Sequence, residues 1–437
     1  MRSLTSGAKG SSVILTTRIA NIPGATSIYE LSSLSDHDCW MLFRSHAFRN
    51  ERDQQNPNLL EIGRQLVKKC GGVPIATKVL GSLLYSMQDE SQWERIRDDK
   101  VWDLDGPVLA ALRLTYHYLT SHARRCFAYC SLYPKEYVME KENLIQIWMA
   151  NGLIPVNEST EPEVAGDMIF KELLSHTMLE GTEWNGDGNV VKCRMHDLFH
   201  DLASTVSKND SVCIETSGEI NLNIARRARH LSVIGSSSEL HLNHPSLSLR
   251  GLRTLMVFNN QVSFPMLPDF THLTCLRTLH LKGVVGLSSL HDSLGKLKHL
   301  RYLDLTSCAL KSLPKSFCQL RNLLSLNLAG NDLQTLSSSV SNLKKLRYLN
   351  LSWNVRITSL PQSIGGLKRL QTLHLEHCHG LEALPSSIGD LRNLKYLNLS
   401  HSEITSLPES IGGLQSLRTL NAMGCVVLPE STASLVC

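Results

Sequence analysis

In the second half of the chain, leucines and polar residues alternate in one phrase that returns at a nearly constant interval. Its cleanest forms are Leu297-Lys-His-Leu300-Arg-Tyr-Leu303-Asp-Leu305, Leu343-Lys-Lys-Leu346-Arg-Tyr-Leu349-Asn-Leu351 and Leu391-Arg-Asn-Leu394-Lys-Tyr-Leu397-Asn-Leu399. Weaker copies begin at Ala225, Leu249, Leu273, Leu320, Leu367 and Leu414, so successive starts lie 24, 24, 24, 23, 23, 24, 24 and 23 residues apart. That period predicts one short strand and one irregular return segment per turn. A single turn cannot bury its leucines, whereas stacked turns bury them against one another; a curved solenoid of about nine turns is expected over 225–437. Residues between the strand leucines point to the concave face. They form one column of Thr278, Tyr302, Ser325, Tyr348, Thr372, Tyr396 and Thr419, and a second of His280, Asp304, Asn327, Asn350, His374, Asn398 and Asn421. Tyrosine offers rigid amphipathic contact area, which makes Tyr302, Tyr348 and Tyr396, with His280, His374 and Asn398 beside them, candidate protein-binding residues. An ordinary solvated strand face accounts for the same columns.

The first half follows other periods. Gly7-Ala-Lys-Gly leads into a β-branched run, Val13 to Thr17, that ends on Arg18; this predicts a turn and a strand with a charged residue at its end. Ser35-Asp36-His37-Asp38 has the form of a capping box, and the helix behind it carries Cys39, Trp40, Leu42, Phe43, Ala47 and Phe48. A second helix, about 59–69, is stopped by Gly71-Gly72, and Pro74 opens a third with Ile75, Ala76, Val79, Leu80, Leu83 and Leu84. Residues 107–180 read as short amphipathic helices. A strand at 190–193 then precedes a helix entered through Met195-His196-Asp197-Leu198. Helices followed by a strand hairpin predict a winged-helix module, with 208–224 as a linker into the solenoid.

Charge sharpens this division. The net charge of +4 conceals −7 over 1–224 (22 Lys and Arg, 29 Asp and Glu) and +11 over 225–437 (22 against 11). Opposite signs favour docking of the two halves, weakly and in a salt-dependent way; a basic, solvated solenoid back explains the same numbers. No apolar stretch reaches the ~18 residues of a bilayer span, and Met1-Arg-Ser-Leu-Thr-Ser-Gly has no apolar signal-peptide core. A cytoplasmic or nucleocytoplasmic protein is expected. The 12 cysteines contain no C-x-x-C pair. Cys126 and Cys130 read as helix core. Cys308, Cys378 and Cys425 share a column with Val284, Asn331, Asn354 and Ser402, where the repeat puts a side chain that bonds the adjacent turn. Reduced, buried thiols follow. Asn350 and Asn398 match the glycosylation sequon, but a glycan there would obstruct the concave face, which again favours the cytosol. His374, His377 and His379 follow a strand-to-loop path, and no metal site is expected.

Read in order, these segments resemble the nucleotide-binding leucine-rich-repeat family of plant disease-resistance proteins, in its coiled-coil-type branch. The family's central switch is the NB-ARC domain, an ATPase-like module. Gly10-Ser-Ser-Val-Ile-Leu-Thr-Thr-Arg18 resembles the strand that ends in its sensor arginine, and Leu31 to Phe43 its next block. Cys70-Gly-Gly-Val-Pro-Ile-Ala76 resembles the GLPLA motif. Cys126 to Pro134 with Trp148-Met-Ala-Asn-Gly-Leu-Ile resembles the winged-helix block, and Met195-His196-Asp197-Leu the MHD motif. Leu-Pro-x-Ser-Ile-Gly at 360–365, 384–389 and 407–412 resembles its cytosolic repeat type. The resemblance implies an α/β multidomain chain: the C-terminal remnant of an NB-ARC nucleotide-binding domain (1–50), a helical domain with the GLPLA-like motif (51–106), a winged-helix domain (107–207), a linker (208–224) and the leucine-rich-repeat solenoid (225–437).

It also implies roles. Arg18 senses the terminal phosphate, Pro74 packs on the adenine and His196 reaches the β-phosphate of ADP, with ADP/ATP and Mg²⁺ as the family's ligands. Read without the resemblance, Arg18 follows a strand on the surface, Pro74 starts a helix and His196 with Asp197 caps one. No G-x-x-x-x-G-K-[ST] occurs in the sequence, nor the Walker B acidic pair, so no hydrolysis is expected. The chain reads as the C-terminal part of a resistance protein. The expected function is an intracellular plant immune receptor of the ADP/ATP-switch type, its repeats serving as recognition and autoinhibition surface. The expected partners are a pathogen effector or a guarded host protein, and the chain's own residues 1–224. The alternatives are a repeat-based adaptor or decoy without nucleotide binding and, third, a working ATPase.

Overall fold

The computed structural model describes residues 28–48, 56–87, 89–104, 106–155, 159–215, 228–234, 249–258, 270–284, 287 and 290–424. The expected strand at 13–18 with Arg18, and Cys425, lie outside the described residues.

Ser35 caps the first helix, α1 (Asp36–Ala47), its hydroxyl accepting from the Asp38 N–H at 3.1 Å. Asn56 caps α2 (Pro57–Lys69) in the same way, and Pro57 and Pro74 open α2 and α3 (Pro74–Tyr85) at first-turn positions that need no N–H. Between those helices Gly71 and Gly72 take φ of +60° and +75°. A Cβ on Gly72 would stand 2.6 Å from that of Ser33, so only glycine fits this turn. Helices α4 (Glu90–Arg97), α5 (Val101–Leu104) and α6 (Pro107–Tyr118) complete the bundle. Phe43, Leu66, Leu80, Leu83 and Trp93 form its core. Helix α1 was expected within the 1–50 segment, yet it packs with 57–97. Its stripe of Cys39, Phe43 and Ala47 meets α3 at Gly81, where a Cβ would lie 3.2 Å from the Phe43 carbonyl.

The next unit comprises α7 (Ser121–Tyr129), β1 (Met139–Glu140), α8 (Lys141–Asn151), α9 (Pro162–Ser175), β2 (Glu180–Trp184), β3 (Val190–Arg194) and α10 (Asp197–Ser207). The small sheet runs β1-β3-β2, antiparallel throughout. With Phe127, Trp148, Phe170 and Phe199 closing the core, this is a winged helix with a two-stranded wing.

The solenoid sheet has ten parallel strands in chain order: β4 (Ser211–Glu215), β5 (His230–Ile234), β6 (Thr254–Phe258), β7 (Thr278–His280), β8 (Tyr302–Asp304), β9 (Ser325–Asn327), β10 (Tyr348–Asn350), β11 (Thr372–His374), β12 (Tyr396–Asn398) and β13 (Thr419–Asn421). Nine of them belong to the nine sequence copies. The tenth, β4, corrects the expected linker at 208–224: it pairs Val212 with Leu231 and Ile214 with Val233, so its two aliphatic side chains extend the core although it stands outside the period. Register is in phase, Leu303 opposite Leu326 and Leu349 opposite Leu373, and equivalent leucines stack fully buried. The expected ladder is present. Asn331 donates to the carbonyls of Leu305 and Leu328 at 2.9 and 2.8 Å and accepts from the N–H groups of Cys308 and Leu310. The Cys308 and Cys378 thiols reach the preceding turn's Leu281 and Leu351 carbonyls. The described cysteines are free and mostly buried; Cys213 and Cys275 depart from expectation in being exposed.

Candidate functional site

Parallel sheets are seldom left with a bare face. Here one face holds the leucines and the other receives the winged-helix domain. The joint centres on Asn151, the last residue of α8, left facing outward by the break that Gly152 makes at φ +70°. Its amide donates to Thr278 Oγ1 at 2.9 Å and to the Tyr129 hydroxyl at 3.1 Å. Its side-chain oxygen accepts from Thr254 Oγ1 at 3.1 Å, and its backbone carbonyl accepts from Arg277 at 3.2 Å. Tyr129 and Thr254 share a further bond of 2.9 Å. Burial pushes the Tyr129 hydroxyl far up, so it stays protonated. Thr254 also meets the His230 ring, which burial holds at about 4 and hence neutral. Each of these polar side chains has a hydrogen-bond partner within the cluster, and those of Asn151, Tyr129, Thr254, Thr278 and Arg277 cross between the two domains, as buried polar groups require.

Beside this cluster lies an aromatic seam. Tyr133 and Tyr137 of the winged helix stand 5.4 and 5.0 Å from the Phe258 ring, and Phe258 stands 5.2 Å from His280. Tyr302 and Met256, though on solenoid strands, are fully buried and pack into the winged-helix core. Beneath them His280 Nδ1 lies 3.0 Å from Asp304 Oδ2, both residues buried. Burial alone would raise the Asp304 carboxyl, but His280 and the two bonds from Thr306 outweigh it and hold the group at about 2.

At the edge the contacts become ionic. Arg347 grips Glu163, in the first turn of α9, with two bonds of 2.6 and 2.7 Å. Lys395 pairs with Glu161, the cap residue of the same helix, to which Gln371 also donates. Lys282 lies 3.6 Å from Glu140, and His374 lies 3.5 Å from Glu142. The carboxylates are all from the acidic half and the cations Arg347, Lys395 and Lys282 from the basic half, the arrangement that the charge division anticipates.

Each candidate residue among the described ones has a definite place. Tyr302, Tyr348, His280 and Asn398 are buried at or near the joint; Tyr396 and His374 are half-buried. The His374 ring lies between Tyr348 and Tyr396, at 5.5 and 5.0 Å, and Asn398 bonds Glu376. Pro74 is exposed at the start of α3. His196 is exposed and caps α10, its Nδ1 accepting from the Leu198 N–H at 3.2 Å. That bond leaves Nε2 carrying the proton and facing outward, a donor suited to a phosphate oxygen. Asn151, Tyr129, Glu161 and Glu163 escaped the sequence reading. The signal for the last two was the acidic Glu-Pro-Glu start of α9 set against Arg347 and Lys395, which occupy one repeat position just before their strands.

Comparison with known proteins agrees with this anatomy. The profile of the disease resistance protein winged helix domain matches residues 132–203; those of a leucine-rich repeat region and of the leucine rich repeat match 251–346, 339–397 and 382–427. The putative disease resistance protein RGA1 of Solanum bulbocastanum is 38% identical over 69% of this chain and 28% of its own length. The putative disease resistance RPP13-like protein 1 of Arabidopsis thaliana is 33% identical over 70% of this chain and 30% of its own. Among solved structures, a leucine-rich-repeat protein of Leptospira interrogans is 28% identical, with a TM-score of 0.45, over 50% of this chain and 55% of its own. The chain spans under a third of the length of those two plant relatives. With a matching winged helix, a matching repeat region and relatives of that kind along more than two thirds of its length, the chain belongs to the plant disease-resistance proteins that join a winged-helix domain to leucine-rich repeats.

Proposed function

We propose that the chain is the restraining and recognition part of an intracellular plant immune receptor acting in disease resistance, and that the seated winged helix is its resting state. The observation that carries this reading is the joint itself: a buried polar cluster around Asn151, ringed by the Arg347–Glu163 and Lys395–Glu161 pairs. A contact of this kind is a two-state element, since a partner that binds only the open form shifts the population toward it. The partner would be a pathogen effector or a guarded host protein, met in the cytoplasm. The role is binding and restraint rather than catalysis, in keeping with a sequence that lacks a phosphate-gripping G-x-x-x-x-G-K-[ST] loop.

Nucleotide contact is the second part of the proposal. Arg18, Pro74 and His196 would face ADP or ATP, with Mg²⁺ held by the phosphates. Exposed Pro74 offers a flat apolar surface to a base, and His196 Nε2 offers a proton to a phosphate. Without the loop these contacts give weak binding at most, and calorimetric titration of the chain with ADP measures it. No heat would favour the reading as a repeat-based adaptor without nucleotide.

Charge reversal tests the restraint. Arg347→Glu in the receptor, expressed in leaf tissue, is expected to give defence output without a pathogen. The paired change of Arg347→Glu with Glu163→Arg is expected to restore rest. Equal output from the single and the paired variants overturns the proposal.

A further inference from the structure

The two residues between the second-last and last leucines before each strand make a tight exposed turn at the solenoid rim. Five successive turns, 298–299, 321–322, 344–345, 368–369 and 392–393, hold seven Lys or Arg among ten residues and no acid. Adjacent parallel strands lie ~4.8 Å apart, so the five turns line up as a ridge about 20 Å long. Such crowding of like charge is unfavourable without a counter-charge. Among the described residues, Lys368 with Asp390, at 3.6 Å, is the single ion pair these turns make. Lys298 and Lys345 donate to the neutral oxygens of Gln319 and Asn322, and Arg321, Lys344 and Arg392 project exposed.

The ridge continues an interface already in use. Two residues past their turns, Arg347 and Lys395 hold Glu163 and Glu161 of α9. A cavity of about 420 Å³ between Glu161 and Arg369 marks where that occupied stretch meets the ridge. The protein thus covers one side of the basic rim, beside its third and fifth turns, with carboxylates of its own and leaves most of the charge of the turns themselves open. The turns contain a single ring, His299 at one end, and no phenylalanine, tyrosine or tryptophan to stack a run of bases, nor an apolar side chain to enter a bilayer.

We infer that the ridge from Lys298 to Arg392 is a docking surface for an extended acidic protein segment, rich in glutamate or aspartate, lying beside the seated winged helix. Carboxylates two residues apart in an extended chain are ~6.6 Å apart, close enough to the turn spacing for long lysine and arginine side chains to follow. The inference rests on the placement of charge alone and stands whether or not the chain is a receptor.

The full chain is to be titrated with three fluorescent probes at low ionic strength: an octaglutamate peptide, a thymidine 20-mer, and vesicles of phosphatidylserine with phosphatidylcholine. The peptide is expected to bind best, and to weaken as salt rises because the contacts are exposed. The triple variant Arg321→Ala, Lys344→Ala, Arg392→Ala is expected to weaken it at least about tenfold, as the loss of several complementary charges does. A control triple elsewhere, Lys68→Ala, Lys208→Ala, Lys311→Ala, is expected to leave it unchanged. Should the ridge triple fail to fold, Arg321→Gln and Arg392→Gln singly are expected to show about twofold losses each. Equal loss in the ridge and control variants, no peptide binding at low salt, or tighter binding of the oligonucleotide or the vesicles overturns the inference.

Discussion

In the solenoid, each leucine meets the same leucine one turn earlier and one turn later: Leu303, Leu326, Leu349, Leu373 and Leu397 form one stack. In the winged helix, Phe127, Trp148, Phe170 and Phe199 come from four separate helices and meet once, in an arrangement not repeated among the described residues. Stability in the first region is a sum over like neighbours, and in the second it depends on one assembly. Damage should therefore spread along the solenoid by a few turns, whereas in the winged helix it should be lost or kept as a whole.

The largest test of that contrast is Leu349→Asp. It puts a carboxylate where the side chain is fully buried, and should cost about 4 kcal/mol or more, opening neighbouring turns before distant ones. Hydrogen exchange resolved along the chain measures it, and uniform loss of protection would break the comparison. Next, Trp148→Ala removes a fully buried indole and should cost about 3–5 kcal/mol. Protection should vanish together across the winged helix while β9 to β13 stay closed.

The joint between the regions should answer to acid. His230 is held at about 4, below its ordinary value, and Asp304 at about 2, also below. A depressed group stabilises the fold above its unfolded pKa and loses that contribution as pH falls toward the folded one. The His230 contribution should thus fade between about pH 6.5 and 4, and that of Asp304 between about pH 4 and 2. As upper figures these amount to ~3 kcal/mol for His230 and ~2 kcal/mol for Asp304. Urea midpoints against pH measure this, and Asp304→Asn should flatten the lower limb only. The smallest effect is expected from Lys282→Ala, which removes a half-exposed pair 3.6 Å long. A change below about 1 kcal/mol is expected in the same titration.

Legibility in the sequence follows the same division. Repetition made the strand leucines, the Asn and Cys ladder and the nine-turn stack readable almost to the residue, because each turn's environment is stated nine times over. The exception, β4, carries its two aliphatic residues once. Local chemistry made Ser35, Gly72 and Pro74 readable as helix punctuation. The seat of the winged helix was readable only as a charge balance. Its specific contacts join Asn151 to Thr278 and Glu163 to Arg347, across 127 and 184 positions, and no local pattern encodes such pairs. The concave tyrosines illustrate the cost: their residue type announces a contact surface, but not that Tyr302 already serves the same molecule.

That prior occupancy has a consequence for any visitor. A rival tethered to the same backbone is present at an effective concentration of roughly millimolar, whatever the amount of protein in the cell. An outside molecule aimed at the inner curve of the arc must outcompete it before gaining a single contact. Evolution of recognition is therefore cheapest along the uncovered margins, where a new contact starts from bare water rather than from eviction.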